Sequence, residues 1–339
     1  MPDARRSVIG RLSAAVLATA AATALQAAGG SSAPVVARDV ILMGTRARLA
    51  TVDDNRARGL ARLERALGVL EGVEAALSTW RPDSEISRLN SAPARALFAL
   101  SPATCETFRA LDRWTRDTGG AFDAATGALT SAWDLHGAGR VPGDDAVAAA
   151  LAASGWARLG FDAPGCTVRR ADGVQIDVGG FGKGAALDAV AAALADDATP
   201  WLIDLGGQVA ARGARASGGW PVSLAHPLDR VRPAVAAVVR DDSLATSAGS
   251  ERDLVVDGRR VGHILDPRTG RPAPFAGSVT VRHPQALAAD ILSTALFVMG
   301  PDAGLAWADA HGVAALYLES PSPAAALVAR ASRAWLAGR

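Results

Sequence analysis

The stretch DVGGFGKGAALDAV, from Asp177 to Val190, places four glycines and one lysine between two aspartates. The apolar segments VQIDV before it and WLIDL after it predict short buried strands, and AALDAVAAALADD predicts a helix that follows the glycines. Glycines allow bare backbone to approach a ligand closely, and Lys183 adds a positive charge beside them. The stretch therefore predicts a binding loop between a strand and a helix.

On its residues alone this loop has several interpretations. A Walker A loop is excluded, because Asp177 occupies its first glycine position and Gly184 stands where serine or threonine is required. The dinucleotide-binding pattern G-x-G-x-x-G/A fits residues 180–185, although it gives Lys183 no role. A glycine turn that only packs a helix on a sheet is a further alternative.

Composition favours a folded protein with a large core. Half of the 339 residues are apolar, and 35 Lys+Arg against 34 Asp+Glu give a net charge of +1. Such a balance, without an aromatic-rich basic tract, argues against a nucleic-acid partner. Strands and helices follow each other without steady alternation, which predicts an α+β fold with mixed sheets and packed helices over residues 35–330.

The N-terminal segment has the features of an export signal over residues 1–28. Three arginines precede an apolar run from Leu12 to Leu25, and small residues follow. We expect an exported, periplasmic protein, either soluble or held by an uncleaved signal anchor. It is not expected to be a lipoprotein, because Cys105 and Cys166 are its only cysteines. Those two either form a disulfide or remain separate buried thiols.

Periodicity and turn residues predict further elements. Apolar spacing predicts a helix over 56–77, and Ser84 is expected to cap another helix. The remaining expectations are one or two strands around Met43, a helix over 101–118, an alanine-rich helix over 143–157, a hairpin with an Asp257-Gly258 turn, and a strand followed by an apolar helix over 278–300.

Polar residues on apolar elements mark candidate functional positions. Asp290 and Thr294 lie at i and i+4 on an apolar helix, with Ser293 beside them. Carboxylate and hydroxyl oxygens suit Mg²⁺, although a helix cap or a core hydrogen bond also accounts for the pair. His263 leads into a tight loop, where it is either a general base or a hydrogen-bonded structural residue.

Taken together, six segments resemble the ApbE family of FAD:protein FMN transferases, in the order in which that family has them. They are MGT at 43–45, STWRPDSEISRLN at 78–90, GGAFD at 119–123, DVGGFGKGAALD at 177–188, TSAGSERDLVVDGRRVGHILDPRTGRP at 246–272 and AADILSTALFVMG at 288–300. The resemblance implies a T-fold-like flavin transferase architecture with FAD bound between subdomains. Trp80 departs from the tyrosine that is common there, and Asp123 lacks the usual following proline.

The resemblance also implies roles for individual residues. The FAD site would contain Met43, Trp80, Ala121, Phe122, Asp123, Asp177, Lys183 and Ile264. Mg²⁺ would be held by the Gly180 carbonyl and the side chains of Asp290 and Thr294, with Ser293 close by. His263 falls on the histidine implicated in catalysis, and Asp290 acts with it through the metal.

The implied reaction is Mg²⁺-dependent transfer of FMN from FAD to a threonine or serine hydroxyl of a target protein, with release of AMP. Implied partners are membrane redox pump subunits and exported flavoreductases with a motif similar to Asp-Gly-x-Ser/Thr-Gly-Ala-Ser/Thr. Two alternatives stay open: an FAD pyrophosphatase that uses water in place of the hydroxyl, and a non-catalytic periplasmic FAD-binding protein.

Overall fold

The structure, a computed structural model, describes residues 34–215, 218–249, 253–256 and 259–338. The predicted export signal and the Asp257-Gly258 turn lie outside them. The helices are α1 (Arg56–Leu77), α2 (Glu85–Ser91), α3 (Pro102–Asp117), α4 (Gly127–Ala132), α5 (Asp144–Ala152), α6 (Gly182–Ala193), α7 (Ala286–His311) and α8 (Arg333–Ala337). The strands are β1 (Val35–Leu42), β2 (Thr45–Val52), β3 (Phe98–Ala99), β4 (Leu159–Asp162), β5 (Thr167–Arg170), β6 (Trp201–Leu205), β7 (Gln208–Arg212), β8 (Trp220–His226), β9 (Asp229–Val239), β10 (Ser243–Ala248), β11 (Leu254–Val256), β12 (Arg259–Val261), β13 (Leu265–Asp266), β14 (Arg271–Pro272), β15 (Ser278–His283), β16 (Ala314–Glu319) and β17 (Val328–Ala331).

An eight-stranded sheet forms the centre of the fold, in the order β1-β2-β6-β7-β10-β15-β16-β17. Each neighbouring pair in it is antiparallel. A three-stranded sheet β3-β5-β4 and the two-stranded sheets β8-β9, β11-β12 and β13-β14 complete the strand pairing of the described residues. Antiparallel sheets with segregated helices confirm the predicted α+β class.

Alternating side chains give the large sheet two apolar faces. In β16, Ala315 and Tyr317 belong to the core beneath α3 and α7, whereas Leu316 and Leu318 belong to the core on the other face. This alternation is the period of two that a strand buried on both sides requires. The helices α1, α6 and α7 cover one face, and the β8-β9 hairpin with α8 covers the other.

Most of the predicted elements are confirmed. Strands β1 and β2 meet at a tight turn in which Met43 has φ 51° and Gly44 has φ 66°, and α1 spans the predicted residues 56–77. The Ser84 side chain accepts a hydrogen bond from the Ser87 amide and caps α2. The hairpin predicted around residues 257–258 is formed by β11 and β12.

Two predictions at the sequence level are wrong. Residues 174–178, VQIDV, belong to no strand, because their backbone groups bond to a side chain and to loops. Ile176 donates to Asn90 Oδ1 (2.8 Å) and accepts from Asn90 Nδ2 (2.9 Å), while the Asp177 amide donates to the Ala124 carbonyl (2.8 Å). The alanine-rich helix stops at Ala152, because Gly155 follows with φ 110°.

Helix α6, which follows the glycine loop, fixes the start of α7. Asp188 on α6 accepts hydrogen bonds from the amides of Ala286 (2.7 Å) and Leu287 (3.0 Å), the first residues of α7. Burial raises the pKa of the Asp188 carboxyl, although these two amides oppose that shift. The second aspartate of the opening stretch is therefore a helix cap supplied by the neighbouring helix.

Replacing Gly184 by alanine is expected to destabilise the fold. A Cβ there would lie 2.5 Å from the Ala286 carbonyl oxygen and 2.6 Å from Leu287 Cα, so the backbones of α6 and α7 would have to separate. Overpacking of this kind lowers the free energy of unfolding by about 1–3 kcal/mol. The loss is measured from the midpoint of urea unfolding. Gly72→Ala is the matched control, because position 72 is exposed on α1 and a Cβ there meets nothing within 4 Å. This variant should stabilise the fold by roughly 0.5–1 kcal/mol, since alanine favours a helix more than glycine does. Equal midpoints for the two variants would contradict the close packing.

Among the described helices, α7 has the length and apolarity of a membrane span. Half of its most apolar 18-residue stretch is buried inside the fold. Its backbone leaves the helical conformation at Gly300 (φ 74°, ψ 171°), before Pro301. Its side chains Ile291 and Leu292 are fully buried in the main core. In this structure α7 is a central core helix that presents its N-terminal half to the candidate site.

A disulfide joins Cys105 on α3 to Cys166 at the turn between β4 and β5. Of the two arrangements left open by the sequence, the structure has the paired one. The bond closes a chain segment with a sequence separation of 61. It ties the small three-stranded sheet to a helix of the main core.

Candidate functional site

An open cleft with a cavity volume of about 200 Å³ lies beside the glycine loop. Ten of the predicted site residues line it: Ala121, Phe122, Asp123, Asp177, Gly180, Lys183, His263, Ile264, Asp290 and Thr294. They come from the loop after α3, the glycine loop, the start of α6, the loop after β12 and helix α7. Segments up to about 170 residues apart in the chain thus meet at one place.

Asp290 is the most buried charged group of the cleft, with a side chain only 6 % exposed. One carboxylate oxygen lies 3.3 Å from Lys183 Nζ, and the other accepts the Gly184 amide at 3.0 Å. A buried carboxylate requires such partners. The loop residue Lys183 and the helix residue Asp290 therefore form one charged pair within the cleft.

Gly180 lies directly against Thr294 and Phe122. A Cβ at position 180 would come within 3.4 Å of Thr294 Oγ1 and 3.2 Å of Phe122 Cε2. Thr294 Oγ1 itself donates to the Asp290 carbonyl at 3.3 Å. The absence of a side chain at Gly180 thus keeps the space beside the threonine hydroxyl open.

Ser293 is not among the residues that line the cleft. It is 1 % exposed, its Oγ donates to the Asp290 carbonyl (2.9 Å), and it also lies 2.9 Å from Ser247 Oγ. Because its single proton goes to Asp290, Ser247 is the donor in the second bond. Ser247, which sequence reasoning missed, is the member of this pair that lines the cleft.

His263 lies at the cleft with its side chain 22 % exposed. Its Nδ1 is 3.0 Å from Asp253 Oδ1, and the same oxygen accepts the His263 amide at 3.2 Å. Asp253 lies within the quoted segment 246–272, but it was not singled out because nothing in the sequence indicates that it contacts a histidine ten residues away. Asp266, three residues after His263, has both carboxylate oxygens bonded to Arg268.

Asp123 and Asp177 line the cleft with their carboxylates bonded to backbone amides. Asp123 accepts from Ala125 (2.7 Å) and Trp156 (2.8 Å), and its pKa is raised because burial outweighs those bonds. Asp177 accepts from the Gly179 amide at 2.8 Å. Both side chains are therefore fixed in orientation.

Trp80 and Met43 are not among the residues that line the cleft. Trp80 is 71 % exposed, and its ring lies 5.1 Å from that of His136 at a tilt of 41°. His136 does line the cleft, with Nε2 3.5 Å from Asp177 Oδ2. Met43 packs with its methyl group near Gly182, at the start of α6. Sequence reasoning missed His136, because a single histidine in WDLHG carries no recognisable spacing.

Comparison with known proteins places this chain and its fold among flavin transferases. The family model described as the ApbE family matches residues 43–317. The FAD:protein FMN transferase of Treponema pallidum is 33% identical over 290 residues, covering 78% of each chain. That of Vibrio cholerae is 31% identical over 258 residues, covering 74% of this chain and 77% of the relative.

Solved structures agree with the sequence relatives. The flavin transferase ApbE from Vibrio cholerae superposes with a TM-score of 0.79 at 29% identity, covering 90% of this chain and 99% of that one. The ApbE protein from Thermotoga maritima gives a TM-score of 0.80 at 28% identity, with the same coverage. The fold, the cleft and these relatives define an enzyme of the transferase class. The chain belongs to the ApbE family.

Proposed function

We propose that this enzyme transfers FMN from FAD to a serine or threonine hydroxyl of a target protein and releases AMP. The observation that supports it most is the meeting of Asp290, Lys183 and His263 in one cleft. A cation can neutralise charge on a pyrophosphate, a buried carboxylate can hold a metal ion, and an imidazole can move a proton. The relatives named FAD:protein FMN transferase support the choice of substrate.

The phosphates of FAD would bind at the start of α6. Lys183 supplies a charge there, and helix N-termini present free amides to anions. Gly180 and Gly182 let the backbone approach without a Cβ. Asp123 and Asp177, held by backbone amides, would contact other parts of FAD, together with Ala121, Phe122 and Ile264 at the cleft wall.

The residues present fit a magnesium ion. Among the described residues, no three His, Cys, Asp or Glu side chains converge as metal ligands. The proposed set has one carboxylate, Asp290, with the Thr294 hydroxyl and the Gly180 carbonyl, and Ser293 beside them. Mg²⁺ accepts such oxygen ligands and keeps several waters. When bound, it would neutralise charge on the pyrophosphate oxygens.

His263 would accept the proton of the attacking hydroxyl. It lies at the cleft, and an imidazole is the side chain best suited to proton transfer near neutral pH. The acceptor oxygen then bonds to the FMN phosphorus as the bond from that phosphorus to the AMP oxygen breaks. The electron pair of the broken bond leaves with AMP.

The targets would be exported proteins, among them membrane redox pump subunits and flavoreductases with a motif similar to Asp-Gly-x-Ser/Thr-Gly-Ala-Ser/Thr. Two observations support a periplasmic location for this step. Residues 1–28 have the composition of an export signal, and Cys105–Cys166 is a disulfide of the kind that persists in oxidising compartments.

The test is a transfer assay with the purified chain, FAD, Mg²⁺ and an acceptor protein that carries the motif. We expect a flavin-fluorescent acceptor band on a denaturing gel, and none when the acceptor threonine is replaced by valine. Adding a chelator in excess of Mg²⁺ should abolish the band. An unlabelled acceptor together with released AMP would instead identify a pyrophosphatase, and intact FAD would identify a binding protein.

A further inference from the structure

The side chain of Asp253 contacts the candidate base His263 and is not among the residues that line the cleft. Asp253 Oδ1 lies 3.0 Å from His263 Nδ1 and accepts the His263 amide at 3.2 Å. Its side chain is only 7 % exposed, against 22 % for that of His263. One buried oxygen thus fixes both the backbone and the ring of the histidine.

Two glycines lie next to this carboxylate. A Cβ at Gly249 would lie 3.4 Å from Asp253 Oδ2, and one at Gly262 would lie 4.0 Å from Oδ1. Gly249 ends the segment that follows β10, and Gly262 directly precedes His263. The Asp253 carboxylate therefore packs between the end of β10 and the residue before His263.

Imidazole chemistry gives this contact a consequence. In a neutral imidazole one nitrogen carries the proton and the other accepts. A carboxylate only accepts, so the nitrogen that faces Asp253 must carry the proton. That nitrogen is Nδ1, which leaves the lone pair on Nε2, the ring nitrogen away from Asp253.

We infer that Asp253 is a positioning residue, which holds His263 in the Nδ1-protonated tautomer so that Nε2 is free to take a proton in the cleft. The inference rests on the proposed function, since it assigns Asp253 to the transfer step. In that step the acceptor hydroxyl loses its proton to Nε2 as its oxygen bonds to the FMN phosphorus and AMP leaves with the electron pair. Asp253 is not among the residues that line the cleft, so it acts through His263.

The tautomer can be measured without any activity. With ¹⁵N-labelled histidine, long-range ¹H–¹⁵N spectra under mildly alkaline conditions distinguish a protonated Nδ1 from a protonated Nε2. His263 is one of five histidines and is assigned by its loss in His263→Asn. We expect Nδ1 to carry the proton in the native chain and the proton to shift toward Nε2 in Asp253→Ala. A native chain with Nε2 protonated would overturn the inference.

Kinetics then test what the tautomer does. Asp253→Ala should lower kcat by about 10- to 100-fold, the range expected when the partner that orients a functional histidine is removed, and should leave KM for FAD within about two-fold. Asp253→Asn should recover kcat to within about three-fold, because its amide oxygen still accepts the His263 amide and Nδ1–H. Unchanged kcat in the alanine variant would overturn the inference.

A slow asparagine variant that keeps the native tautomer would also overturn it, since orientation would then not be the contribution of Asp253. Melting curves of both variants exclude a folding defect as the cause. If the native chain labels no acceptor at all, the proposed function fails instead. The tautomer measurement still decides the geometry in that case.

Discussion

Asp290→Ala is expected to lower the rate of flavin transfer by at least ~100-fold, which is the scale of removing a group that stabilises transition-state charge. The Asp290 carboxylate holds Lys183 at 3.3 Å and the Gly184 amide at 3.0 Å, and it is the one carboxylate of the proposed metal site. Loss of this carboxylate removes both the proposed metal ligand and the partner of Lys183. Initial rates of acceptor labelling at saturating FAD measure the effect.

Asp290→Asn separates charge from packing. The asparagine keeps an oxygen for the Gly184 amide, so the variant should melt close to the native chain, yet it should be nearly as slow as the alanine variant. Asp302→Asn is the matched control, because Asp302 is an exposed aspartate of the same helix α7, paired with Arg330. Transfer at the native rate by Asp290→Asn would contradict a role for that charge.

Removing the disulfide by the double change Cys105→Ala and Cys166→Ala is expected to destabilise the chain by roughly 4 kcal/mol. That figure follows from loop-closure entropy for a sequence separation of 61. With an unfolding entropy of ~2.1 cal/mol/K per residue over a domain of this size, the expected loss is on the order of 6 °C in Tm. Cys105 is fully buried, and alanine there avoids adding a hydroxyl to the core.

Reductant provides the control for this experiment. Reducing the native chain should lower its Tm in the same direction, whereas the double variant should melt at one temperature with or without reductant. Thiol labelling of the unfolded native chain reports whether the bond was present. Two free thiols in the unreduced protein, or a Tm insensitive to reductant, would contradict the structural role of the bond.

The local elements were largely predictable because their signals are local. The helix over 56–77 and the cap at Ser84 follow from apolar spacing and from a hydroxyl before a helix. VQIDV failed because its apolar pattern is that of a buried strand, while Asn90 and neighbouring loops, distant in the chain, take its backbone bonds. Strand pairing is a tertiary property, which a five-residue pattern does not contain.

Part of the candidate site was predictable for a different reason. Asp290, Thr294 and Lys183 were found because charge or polarity stands out on apolar elements and in a glycine loop. The sequence did not indicate Asp253, His136 or Ser247, because each belongs to the site only through tertiary contacts that no local pattern shows. The cysteine pairing likewise depends on the approach of α3 to the β4-β5 turn.

In the proposed reaction the phosphorus of FMN passes to a protein hydroxyl rather than to water. The most direct measurement counts AMP released and FMN bound to the acceptor in the same reaction, by chromatography and by mass of the intact acceptor. We expect one labelled acceptor for each AMP, at every time point. AMP that accumulates with free FMN, in the presence of excess acceptor, would contradict it.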